Sequence, residues 1–97
     1  MEWFGVRCIF RSAQRGAYEE RITLWHAETF EDAIAEAESE AAEYARDTDC
    51  QYVGLAQAFK MDVEPGNGTE VFSLIRRHSA SPDEYVRLFF DTGSEIT

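Results

Sequence analysis

A chain of 97 residues has room for one hydrophobic core and little beyond it, so a single domain over 1–97 is expected. Nineteen Asp and Glu against nine Lys and Arg leave a net charge of −10, which argues against nucleic acid and against anionic membranes as partners, since both attract through Lys and Arg. No apolar run approaches the roughly 18–20 residues that span a bilayer, and the opening "MEWFGVRC" has neither the basic region nor the apolar stretch of a signal peptide, so a cytoplasmic location is expected.

"WFGVRCIFR" alternates, with Phe4, Val6, Cys8 and Phe10 on one face and Trp3, Gly5, Arg7, Ile9 and Arg11 on the other, the pattern of a half-buried strand. "SAQRGA" is turn-like, and "YEERITLWHA" resumes a period of two with β-branched and aromatic residues. The two strands form a hairpin. Opposing Arg11 to Glu19, which sets Arg7 against Thr23 and Phe10 against Glu20, avoids the Arg7–Arg21 pair that a two-residue slip would create. Glu20 then lies on the apolar face with Tyr18, Ile22 and Leu24.

"TFEDAIAEAESEAAEYARDT" is the clearest helix. Thr29 can cap it, with Asp32 three residues later, and Phe30, Ala33, Ile34, Ala37, Ala41, Tyr44 and Ala45 recur at helical spacing. Glu36, Glu40, Glu43 and Asp47 form an acidic stripe on the opposite side. "CQYVGLAQAFKMDV" predicts a third strand, "EPGNG" a turn, and "TEVFSLIRR" a fourth strand paired with the third, Phe59 facing Leu74 and Gln57 facing Arg76. "SPDEYVRLFFDTG" has Ser81 as N-cap, Pro82 in the first turn and Gly93 as a stop, so a short aromatic-rich helix closes the chain. The fold class is therefore α+β: a ββαββα order, two β-hairpins forming a largely antiparallel four-stranded sheet with two helices packed on one face.

No convergent set of reactive groups appears, and no catalytic residue is assigned. Cys8 and Cys50 are too far apart for a metal or redox pair and read as reduced thiols, Cys8 as a small buried hydrophobe. His26 and Glu20 share a strand face but lie about 20 Å apart at ~3.3 Å per residue, beyond proton-transfer reach. His78 reads as a solvated loop residue. "DVEPGNG" offers oxygens at Asp62, Glu64 and Asn67, but the twelfth position of a calcium loop would be Ser73 rather than a bidentate Glu. With no phosphate-binding glycine motif and no His/Cys cluster, neither a cofactor nor a metal is expected.

Three features remain. Trp3, Arg7, Arg21 and Trp25, read as one polar hairpin face, combine the aromatic and arginine side chains typical of interface hot spots, or of self-association as a homodimer. The acidic stripe suits a basic protein partner, whose encounter it would speed. Glu20, Gln57 and Arg76 fall at one end of the same sheet face if the third strand runs parallel to the second. A buried carboxylate is costly unless paired, so an ion pair between Glu20 and Arg76 is predicted, with Gln57 beside it.

The strings "GVRCIF", "YEERITLW", "YVGLAQAF", "EVFSLIR" and "FFDTG" together resemble a small bacterial family, of about this chain length, known only as a domain of unknown function. The resemblance covers nearly the whole chain and implies a bacterial, intracellular protein. It brings no catalytic or binding residues with it. The leading functional expectation is a non-enzymatic interaction module binding a protein, as small acidic inhibitors and immunity-type proteins do. The rival is a small-molecule-binding or catalytic domain with a pocket around Glu20 and Arg76.

Overall fold

The computed structural model describes residues 1–97. Its elements are β1 (Glu2–Ser12), β2 (Ala17–Ala27), α1 (Phe30–Asp47), β3 (Gln51–Lys60) and α2 (Pro82–Phe89). The three strands form one antiparallel sheet in the order β2-β1-β3. The expected ββαββα fold with a four-stranded sheet is thus corrected to β-β-α-β-α. Residues 69–77 alternate like a strand but make no ladder; of them Val71 and Phe72 lie on a face of the sheet, where the Val71 carbonyl sits over Gly5 and the ring of Phe72 meets that of Phe59 at 6.3 Å. An alternating pattern specifies two faces, and a segment can satisfy one of them by lying on a sheet as well as by joining it.

The hairpin register also differs from the expected one by a single residue. Ser12 pairs with Ala17 across the turn Ala13–Gly16, so Cys8 opposes Arg21 and Phe10 opposes Glu19. A one-residue shift exchanges the faces of a strand. Glu19, Arg21, Thr23 and Trp25 therefore share the side of Phe4, Val6, Cys8 and Phe10. Tyr18, Glu20, Ile22, Leu24 and His26 turn the other way.

The core lies between β1 and α1. Phe4, Val6, Cys8 and Phe10 are buried against Ala33, Ala37, Ala41 and Ala45, whose small side chains let the helix lie close above the central strand. Phe10 contacts the rings of Tyr44 and Tyr52 at 5.0 and 5.6 Å. Thr29 caps α1 as expected, its hydroxyl accepting from the Asp32 amide at 3.1 Å. Between Cys8 and Phe10 the β1–β3 register shifts, since Cys8 pairs with Ala56 but Phe10 with Tyr52. Two extra residues bulge out of β3 there, and Gly54 takes the positive φ of 88° that such a bulge requires. Val53 and Leu55 are left exposed on either side of it.

The predicted second helix is present as α2, capped by Ser81, whose hydroxyl accepts from the Glu84 amide. It does not pack on the sheet. None of its residues is buried and it touches none of the strands nor α1, so the expectation of two helices on one sheet face is corrected to one.

Candidate functional site

The two sides of the sheet have different chemistry. On the α1 side, polar residues of the flanking strands reach up and pin the helix. Arg21 bonds Glu40 at 2.7 Å while its guanidinium lies 3.9 Å from the centre of the Tyr44 ring. The Tyr44 hydroxyl donates to Glu19 at 2.7 Å, and across the helix the Tyr52 hydroxyl donates to Glu38 at 2.6 Å. One member of the acidic stripe, Glu40, is thereby occupied within the chain, whereas Glu36, Glu43 and Asp47 face water. Trp25 is also on this side, half-buried, its indole N–H donating to the Thr23 hydroxyl.

These phenols carry a pH consequence. Burial, and then the bond to Glu38, pushes the Tyr52 phenol far above the ordinary tyrosine range. For Tyr44 the bond to Glu19 is the larger cause and burial the second. Both groups hold their protons more tightly folded than unfolded, so their contribution is complete below the unfolded value of about 10 and is lost as pH rises beyond it. The urea midpoint is expected to hold steady below that value and to fall above it. Tyr52→Phe should flatten part of that fall, which denaturation curves at stepped pH will show.

The opposite side, the open face, is organised around Arg7. Its side chain is only 15% exposed. It donates from Nε and Nη2 to the Gln57 side-chain oxygen and from Nη1 to Glu20 at 3.2 Å, and its guanidinium stacks 5.0 Å from the centre of Phe72. Beside it, the Val71 carbonyl crosses directly over Gly5: a Cβ on Gly5 would run into the oxygen and lie 3.0 Å from the carbon. Trp3 stacks on His26 at 4.6 Å with the rings nearly parallel. Flanking this centre are two apolar shoulders, Ile22 and Leu24 on β2 and Val53 and Leu55 on β3, which are 39–49% exposed.

The predicted trio is therefore split. Glu20 and Gln57 do share one face, but what joins them is Arg7 from the strand between them. Arg76 lies elsewhere, donating to the Tyr85 hydroxyl at 3.2 Å with its guanidinium over Phe89. The Glu20–Arg76 ion pair is corrected accordingly, and the pocket imagined around it is not formed by those two residues. The hot-spot group is divided as well, with Trp3 and Arg7 on the open face and Arg21 and Trp25 beneath α1. Because Glu20 is largely in water, its pairing with Arg7 contributes little. Glu20→Gln should cost under about 1 kcal/mol. Arg7→Ala should cost more, because it strips Phe72 and Gln57 of their common partner, and urea denaturation of the two variants will rank them.

The Arg7–Phe72 contact and the tyrosine clamps escaped the sequence reading, the first because it depends on where residues 69–77 run. An open cleft of about 470 Å3 lies at the hairpin tip, between Phe10, Tyr18, Glu19, Tyr44, Cys50 and Ile96. No group of three or more His, Cys, Asp or Glu is placed to hold a metal ion. No helix is long and apolar enough to cross a membrane. Compared with protein-family models, curated proteins and solved structures, the chain matches none. The likeness to an uncharacterised bacterial family gains no support from these comparisons.

Proposed function

We propose that this chain is a non-enzymatic interaction module that binds a protein through the open face of its sheet. The observation that carries the reading is the pair of exposed apolar shoulders, Ile22 with Leu24 and Val53 with Leu55, on either side of a firmly held centre. A strand side chain on a face left in water is ordinarily polar, and contiguous exposed apolar surface marks interaction sites. A half-buried arginine stacked on an aromatic ring, with Trp3 beside it, adds the residue types that anchor interfaces. Glu36, Glu43 and Asp47 lie on α1, on the other side of the sheet, and do not line this face; with the net charge of −10 they act at long range, speeding the encounter with a basic partner.

The test is affinity capture from the native cell with the wild-type chain, Ile22→Asp with Leu55→Asp, and Glu36→Gln with Glu43→Gln. All four positions are exposed, so folding should survive. A partner held by wild type and lost by the apolar-to-Asp variant supports the reading, while the charge variant should slow association and weaken its salt dependence. A partner that binds the apolar-to-Asp variant as well as wild type would overturn the role of the open face.

A further inference from the structure

Residues 71–82 differ in charge from the rest of the chain. In a protein with nineteen Asp and Glu against nine Lys and Arg, they hold Arg76, Arg77 and His78 and no carboxylate. Arg76 lies over Phe89 and donates to the Tyr85 hydroxyl, and His78 accepts from the Ala80 amide. Arg77 is exposed and enters no ion pair. The backbone here is equally free. Residues 70–79 belong to no helix or strand and make no backbone–backbone hydrogen bond, and residues 73–79 are all exposed. Such a stretch can enter the cleft of another protein without anything having to unfold. One hydroxyl lies in it with both arginines upstream: in Arg76-Arg77-His78-Ser79 the guanidinium groups stand three and two residues before Ser79. No other Ser or Thr of the chain has arginine at both places. Nearby, Ser81 is engaged as the cap of α2, accepting from the Glu84 amide at 3.3 Å, and Ser73 has Glu70 where an arginine would stand.

We propose that Ser79 is a phosphorylation site, for a Ser/Thr kinase whose substrate cleft carries carboxylates that receive Arg76 and Arg77. Two guanidinium groups at fixed places before an acceptor hydroxyl are a pattern that such carboxylates read through charge-assisted, bidentate bonds. In the reaction the Ser79 Oγ bonds to the γ-phosphorus of ATP while the bond to the bridging oxygen of the departing ADP breaks. The hydroxyl proton passes to the catalytic carboxylate of the kinase. The product carries a charge of about −1.5 to −2, three residues along the chain from Arg76, and competes with Tyr85 and Phe89 for that guanidinium. Residues 71–82 then lose their net positive charge, and Arg76, which ties them to α2, turns to the phosphate.

The test is to incubate the full chain with a purified arginine-directed Ser/Thr kinase and Mg-ATP and to locate any phosphate by intact and tandem mass spectrometry. One phosphate is expected, on Ser79, and Ser79→Ala should take up none. Arg77→Ala, at an exposed position that holds nothing in the fold, should keep the wild-type circular dichroism. It should lower kcat/KM for phosphorylation about tenfold, the worth of one charge-assisted contact, and Arg77→Lys should recover part of the loss. Chain purified from its own cells with phosphatases inhibited should carry the same phosphate. Wild type that takes up no phosphate, a phosphate placed on Ser81 or Ser73 instead, an Arg77→Ala rate equal to wild type, or native chain free of phosphate would each overturn the site. In NMR spectra of the phosphorylated chain the ring protons of Tyr85 and Phe89 should shift while those of Phe10 and Tyr52 stay in place. Unmoved Tyr85 and Phe89 rings would overturn the competition for Arg76.

Discussion

Replacing Gly5 by alanine is expected to lift Val71 and Phe72 off the sheet. A methyl group there meets the Val71 carbonyl, which is backbone and has no rotamer to change. Either β1 or the crossing segment must move. Since β1 is held on both sides by ladders to β2 and β3, the segment carrying Val71 and Phe72 yields. Phe72 then loses both Phe59 and Arg7. Overpacking of this kind costs about 1–3 kcal/mol, more than residues 69–77 can recover without ladder bonds of their own. Limited proteolysis should show faster cleavage across residues 62–80, while hydrogen exchange shows the amides of β1 and α1 still protected. Unchanged cleavage of that segment would mean that the Val71 crossing contributes nothing to its docking.

Phe10→Ala should have the larger effect on global stability. Phe10 is 1% exposed and is gripped by the edges of Tyr44 and Tyr52, so truncation opens a cavity beneath the C-terminal half of α1. Phe-to-Ala changes in cores cost about 3–5 kcal/mol, a large share of the ~5–15 kcal/mol that holds an ordinary domain together. The two tyrosines also carry the hydroxyls that reach Glu19 and Glu38, so the clamps on both flanks of the helix loosen together. A loss under about 1 kcal/mol in urea unfolding would contradict the placement of Phe10 at the centre of the core.

The predictions that succeeded rest on local periodicity. Phe4, Val6, Cys8 and Phe10 were legible as one buried face because alternation along a single strand needs no partner to be read, and all four are buried. The alanine stripe of α1 and its Thr29 cap were legible for the same reason. Glu20 was misplaced by one residue of register. The choice between opposing Arg11 to Glu19 and opposing it to Tyr18 is made at the turn, and the charge pairs used to decide it are worth too little in water to outweigh the backbone of residues 13–16. That single step moved Glu20, Ile22 and Leu24 to the open face and brought Arg21 under α1 to Glu40.

Local sequence by itself determined the elements up to Lys60, the inward face of β1, the small-residue seam of α1 and both helix caps, because each depends on spacing or on a hydrogen bond within a few residues. Tertiary structure alone decided that Val71 and Phe72 lie on a face of the sheet while residues 69–77 add no strand to it, that Arg7 rather than Arg76 meets Glu20 and Gln57, and that α2 stands clear of the sheet. Those outcomes turn on which of several compatible surfaces a segment meets. An alternating stretch fits a sheet edge or a sheet face equally well, and the difference lies in contacts between residues fifty or more positions apart, such as the Val71 carbonyl over a glycine that has no Cβ to exclude it.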